Sequence, residues 1–170
     1  MALPTLVFSE VNGSGAGTPT DNIAAVNFAS QDLQSGTSAL LINYPVPTGL
    51  NSMEKYNCMK VVTPSANTLS AFTIYFASTQ PVDGAGVAST LHMKFGITPT
   101  YAQPVATTST VATTLCSTNT TTPGVSFAAP ANTAGAYSGY FVQQMQVDAG
   151  AIGGNAVFPA TWLVCSFVYS

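Results

Sequence analysis

The last apolar run of the chain, from Ala156 to Tyr169, constrains the fold more than any other stretch. Because successive side chains of a strand point to opposite faces, this run is apolar on both faces. One face carries Leu163, Cys165, Phe167 and Tyr169, and the other carries Trp162, Val164 and Val168. A strand of this kind must be covered on both sides, either by a second sheet or by a neighbouring chain.

Strand-like alternation recurs upstream of this run. The clearest case is Leu91–Ile97, where the apolar side chains share one face and His92 and Lys94 lie on the other. Other strands are predicted at Ile23–Phe28, Ala39–Tyr44, Lys55–Val62, Leu69–Ala77, Tyr140–Val147 and within Ser109–Leu115. No long stretch shows apolar residues at helical spacing. About seven to nine strands with Gly, Pro and Asn turns predict an all-β fold, an antiparallel β-sandwich of immunoglobulin-like or jelly-roll type.

The domain organisation follows from length and local composition. A chain of 170 residues is expected to form one domain. Residues 1–22 join the apolar Leu6-Val7-Phe8 to a stretch rich in Gly, Ser and Thr, which predicts a flexible, extended N-terminal arm. That arm either reaches a neighbour or frays. Residues 23–170 are expected to form the sandwich, with a Thr/Pro/Ala-rich excursion at 98–136.

Charge is scarce in this sequence and narrows the possible partners. Only 5% of residues are charged, against roughly 25% in an average domain, and the net charge is −3. Three lysines and no arginine cannot form a basic track for nucleic acid. The longest apolar run contains Pro159 and is shorter than the ~20 residues of a membrane span. The composition favours a surface occupied by protein partners, and an ordinary neutral-polar β-domain stays open.

Catalytic, metal and cofactor chemistry find little support. The single histidine, His92, is predicted on a solvent face, and no Gly-x-Ser-x-Gly motif is present. The acids lie mostly in turn-rich loops, where caps and Asx-turns explain them. Three cysteines without a Cys/His cluster indicate reduced, mostly buried thiols. No enzyme activity, cofactor or metal site is therefore predicted.

Sugar binding is the alternative from a different functional class. A stacking platform for a glycan needs exposed aromatic rings. The candidates are Trp162, Tyr56, Tyr75, Tyr101, Tyr137 and Tyr140. Most of them lie on predicted strands, where core or interface packing is the commoner use. A carbohydrate-binding module for host attachment therefore remains an alternative.

The order of several loose motifs carries a family resemblance over most of residues 23–170. These motifs are Asn27-Phe-Ala-Ser-Gln-Asp32, Tyr44-Pro-Val-Pro-Thr-Gly-Leu-Asn-Ser52, Glu54-Lys-Tyr56, Leu69-Ser-Ala-Phe-Thr-Ile-Tyr-Phe76, Tyr101-Ala-Gln-Pro104, Thr108-Ser-Thr-Val-Ala-Thr113 and Gly139-Tyr-Phe-Val-Gln-Gln-Met-Gln-Val147. Their order resembles tailed-bacteriophage virion proteins of the head decoration (cement) type. The sequence departs from that pattern at Gln143, where an apolar residue is expected, and at its non-acidic ending, Phe167-Val-Tyr-Ser170.

The resemblance implies a structural role without catalysis. A decoration protein of this type binds the outer capsid surface of the virion, after synthesis in the host cytoplasm, and bridges neighbouring capsomers. The implied partners are the major capsid protein and further copies of the chain, with a trimer expected by analogy. A minor tail or baseplate component is the alternative within the same class. The candidate interface residues are Leu6, Val7, Phe8, Tyr101, Trp162, Val164 and Val168.

Overall fold

The computed structural model describes residues 3–35, 43–77, 90–115, 125–151 and 162–169. Nine strands lie in these ranges: β1 (Thr5–Asn12), β2 (Thr18–Asp21), β3 (Lys55–Thr63), β4 (Leu69–Ala77), β5 (Leu91–Thr98), β6 (Thr114–Leu115), β7 (Val125–Ser126), β8 (Tyr140–Val147) and β9 (Trp162–Tyr169). Most of the predicted strand Ala39–Tyr44, and residues 156–161 of the last apolar run, fall outside the described residues.

The described strands form two antiparallel sheets, and the predicted all-β sandwich is confirmed. The large sheet has the order β2-β1-β3-β8-β5-β6, and the small sheet has the order β7-β4-β9. Strands β5 and β8 pair along their full length, from Leu91–Val147 to Thr98–Tyr140. The bounds predicted from their period-two patterns, Leu91–Ile97 and Tyr140–Val147, agree with the structure to within one residue.

The two sheets pack face to face, and side chains from both share the same apolar clusters. Ile74 of β4 packs with Met93 of β5 and Phe141 of β8. Val61 of β3 packs with Phe72 of β4. We call the side of the large sheet that packs on the small sheet its inner face, and the opposite side its outer face. The inner face holds the core that joins the two sheets.

The N-terminal segment differs from the predicted flexible arm. Strand β1 pairs with β3 over seven residue pairs, from Thr5–Thr63 to Val11–Tyr56. Strand β2 returns along β1, and the glycine-rich stretch is the turn between them, with Gly13, Gly15 and Gly17 at positive φ. Residues 5–21 are thus an edge hairpin of the large sheet. The physical reason is that the apolar residues of β1 gain burial against the sandwich core.

Two of the predicted short strands also differ from the structure. Residues 23–28 form no strand, and instead Phe28 enters the inner core from an irregular segment. In the predicted strand Ser109–Leu115, only Thr114 and Leu115 pair as β6. Ser109 turns the chain there, because its hydroxyl accepts hydrogen bonds from the amides of Val111 and Ala112. Such local side-chain bonds compete with strand formation.

Residues 101–112, which we call the outer segment, cover the outer face of the large sheet. Tyr101, Val111 and Ala112 pack with Tyr56 of β3 and Val142 of β8. The large sheet is therefore covered on both faces by its own chain. Part of the excursion predicted at 98–136 therefore packs on the large sheet of its own chain.

Gly96 permits the outer segment to approach the sheet, and its replacement by alanine is expected to destabilise the protein. A Cβ at Gly96 would lie 1.9 Å from the carbonyl oxygen of Val111. Because backbone cannot rotate away as a side chain does, Gly96→Ala is expected to cost about 1–3 kcal/mol of unfolding free energy in urea titration. Gly150→Ala is the control, since nothing lies within 4 Å of its Cβ position. Equal effects of the two substitutions would contradict this account.

Candidate interaction surface

A buried ion pair removes two of the few charges from the surface. The Nζ of Lys55 donates to Glu10 Oε1 at 3.1 Å, and both side chains are fully buried. Lys55 also donates to the carbonyl oxygen of Leu33 at 2.5 Å. Ser35 donates to Glu10 through its amide and its hydroxyl. These bonds attach the loop at residues 33–35 to β1 and β3, so the pair is structural.

A second ion pair, between Lys60 and Asp21, is half-exposed. Lys60 Nζ lies 2.5 Å from Asp21 Oδ2 and 5.4 Å from the ring centroid of Tyr137. The hydrogen bond from Lys60 is the main cause that lowers the pKa of Asp21, and burial opposes it. A lowered carboxyl pKa adds stability at neutral pH, and that stability is lost as the pH falls through the lowered value. Lys60 in turn has a raised pKa, chiefly through its bond to Asp21.

The other acids of the described residues are held by local hydrogen bonds. Asp32 accepts from Asn12 Nδ2 at 2.7 Å and from the amide of Gly13 at 2.6 Å. Asp148 Oδ2 lies 3.1 Å from His92 Nε2, so His92, which was predicted on a solvent face, lies half-buried beside an acid on the outer face. Glu54 is buried and accepts from the amide of Val105. The described surface therefore carries few charges, since Glu10, Glu54 and Lys55 are buried and Lys60 is paired with Asp21.

The predicted interface residues of β1 divide between the two faces of the large sheet. Leu6 and Phe8 are half-buried and pack against the inner core. Val7 lies on the other face, opposite Lys60 in the register of β1 and β3. The inward side chains of β1 hold the sandwich together.

Tyr101 likewise makes its contacts within the chain. Its ring lies 5.1 Å from that of Tyr56 and 5.9 Å from that of Tyr140, and its hydroxyl donates to the carbonyl oxygen of Gly13. Burial raises the pKa of the Tyr101 phenol and raises that of Tyr56 to about 12. Because Tyr56 is 1% exposed, its ring belongs to a packed cluster and is not available as a stacking surface.

Strand β9 supplies the remaining predicted interface residues. Val168 is 55% exposed on the outward side of the small sheet, whereas Cys165 and Phe167 pack toward the core. Trp162 and Val164 pair through their backbones with Ala77 and Tyr75, and their side chains lie outside the described part. The face assignment of β9 made from the alternation pattern agrees with the structure at residues 165–168.

Three exposed apolar side chains lie at the end of the sandwich where β3 ends, β4 begins and β9 ends, while Leu50, Ile97 and Val105 are exposed outside this group. Leu3, Val62 and Val168 are 61%, 47% and 55% exposed. We call these three residues the apolar end. Leu3 and Val62 were not among the predicted interface residues. The sequence position of Val62 could have indicated its exposure, because Val62 is the last residue of the predicted strand Lys55–Val62 and lies on the face opposite Val61.

The described residues contain little that suggests bound metal or reactive thiols. They hold no group of three or more His, Cys, Asp or Glu side chains that could bind a metal ion. Cys58 and Cys165 are free thiols, and burial raises the pKa of each to about 12. Among these same residues, no helix is long and apolar enough to cross a membrane.

Comparison with known proteins gives no identification for this arrangement. No family model, no curated protein and no solved structure matches the chain.

Proposed function

We propose that this protein is a structural component of a phage virion, a decoration protein that binds the outer capsid surface and stabilises neighbouring capsomers. The observation that carries the proposal is a described surface with few charges and with exposed apolar side chains, three of them at the apolar end. Its partners are the major capsid protein and further copies of the chain. The trimeric state stays an expectation by analogy.

The energetics suit repeated docking on a shell. Burial of apolar area contributes ~25 cal/mol per Å², and a standard interface of ~1,600 Å² gives ample gross stabilisation for docking one rigid domain. Repetition over a symmetric shell adds avidity. Because few charges lie on the described surface and Lys60 is paired with Asp21, the contact is expected to depend weakly on salt.

The test is addition of the purified protein to capsids that lack it. We expect saturation at a fixed stoichiometry, a raised capsid melting temperature, and similar binding at low and high salt. Val62→Lys with Val168→Lys is expected to weaken binding about tenfold or more, because a buried ammonium without a partner is costly. Val105→Lys is the control, since Val105 is 40% exposed on the outer segment, away from the apolar end.

Three outcomes would overturn parts of this proposal. Absence of binding to capsids, together with absence from virion heads, would remove the decoration role. Recovery of the protein in the tail fraction would favour the minor tail or baseplate alternative. Retention on a glycan column that is abolished by a tyrosine or Trp162 substitution in a folded variant would favour the sugar-binding alternative.

A further inference from the structure

The four edges of the two sheets differ in how well they are protected against pairing with another strand. In the large sheet one edge is β2, which has four residues including Pro19 and Asp21, and the other is β6, which has two residues. In the small sheet β7 has two residues, whereas β9 has eight. Short length, proline and charge are the devices by which proteins block edge pairing. Each of the edge strands β2, β6 and β7 has at least one of these features.

Strand β9 carries none of them. Its eight residues, Trp162–Tyr169, include no charge and no proline, and are rich in β-branched and aromatic residues. The register shift of this sheet lies in β4, between Ser70 and Thr73, where Ala71 takes a positive φ of 49°. The bulge therefore bends β4, which is the central strand of the small sheet. Among the strands that the structure describes, β9 pairs with β4 alone.

We propose that the edge of β9 that faces away from β4, which no described strand occupies, pairs with β9 of a second copy of this chain, antiparallel about a twofold axis. The axis runs perpendicular to the small sheet, so each residue opposes one on the same face of the partner strand. The inward row of Cys165 and Phe167 then continues into the inward row of the second copy. The joined sheet has the order β7-β4-β9-β9-β4-β7.

The charge distribution favours a second copy over a charged partner strand. The outward side chains described in β4 and β9 are neutral, and among them are Ser70, Thr73, Ser166 and Val168. Two copies therefore meet at this edge without like-charge repulsion, and hydroxyls and backbone groups supply the polar contacts. Because the net charge of the chain is only −3, long-range repulsion between copies is also weak. This inference does not depend on the virion role, and the twofold dimer that it predicts differs from the trimer expected by analogy.

The test compares two double variants that carry the same added charge on the same outward face. Ser166→Lys with Val168→Lys places lysines on the edge strand. Ser70→Lys with Thr73→Lys places them on β4, at the positions that pair with Val168 and Ser166. Sedimentation velocity over a wide concentration range is expected to give a dimer for the unchanged chain and for the β4 variant. For the β9 variant the dissociation constant is expected to rise about tenfold or more.

Hydrogen exchange on the unchanged chain provides a second measurement that needs no variant. At concentrations that favour the dimer, the β9 amides that point away from β4 are expected to exchange more slowly than at dilution. A chain that is monomeric at all concentrations would overturn the inference. An oligomer that both double variants weaken equally, or neither weakens, would also overturn it. Circular dichroism checks that both variants are folded.

Discussion

Lys55→Met is expected to lower the free energy of unfolding by about 3–5 kcal/mol, because it leaves the Glu10 carboxylate buried without its cation. Both side chains are fully buried, and Lys55 also donates to the carbonyl oxygen of Leu33. The loss of the ammonium therefore removes an ion pair and a hydrogen bond in one change. Urea unfolding monitored by circular dichroism measures the effect.

Two further variants separate this explanation from a general loss of packing. In the double variant Glu10→Met with Lys55→Met, no uncompensated charge remains, and much of the stability is expected to return. Lys60→Met removes the partner of a half-exposed pair, and its effect is expected to be much smaller. A double variant as unstable as Lys55→Met, or equal losses for Lys55→Met and Lys60→Met, would contradict the account.

Gln144→Leu is expected to cost about 2–4 kcal/mol and to loosen the outer segment. The Gln144 side chain is 1% exposed on the outer face of β8. Its Oε1 accepts from the amide of Ser109 at 2.9 Å, and its Nε2 donates to the carbonyl oxygens of Ser52, Val105 and Thr107. Leucine fills a similar volume but leaves buried groups of Ser109 and Ser52 without a partner, at about 1–3 kcal/mol each.

The matched control for this substitution is Gln146→Leu. Gln146 lies two residues further along β8, on the same face, and is only half-buried, so a change of less than about 1 kcal/mol is expected. Hydrogen exchange adds a local readout, since amides in residues 105–112 are expected to lose protection before the sheets unfold. If exchange there is unchanged and the two variants are equally stable, Gln144 does not hold the outer segment.

The candidate site was only partly accessible from the sequence. The alternation pattern placed Val168 outward and Cys165 and Phe167 inward, and the structure agrees. The pattern could not show that Tyr101 packs on Tyr56, which lies 45 residues away in sequence, because that contact depends on how the outer segment crosses the sheet. Leu3 and Val62 also escaped prediction, since their exposure depends on where the strands end.

The sequence by itself determined the class of fold and the strands β3, β4, β5, β8 and β9. Period-two alternation acts within one strand, so Leu69–Ala77 and Tyr140–Val147 were predicted with the bounds that the structure shows. Only the tertiary structure decided which faces are covered, and by what. Glu10 lay in the predicted arm and Lys55 at the start of a predicted strand, and their burial depends on the pairing of β1 with β3 and on the loop at 33–35. Burial and pairing are properties of residues distant in sequence, and a local pattern carries no record of them.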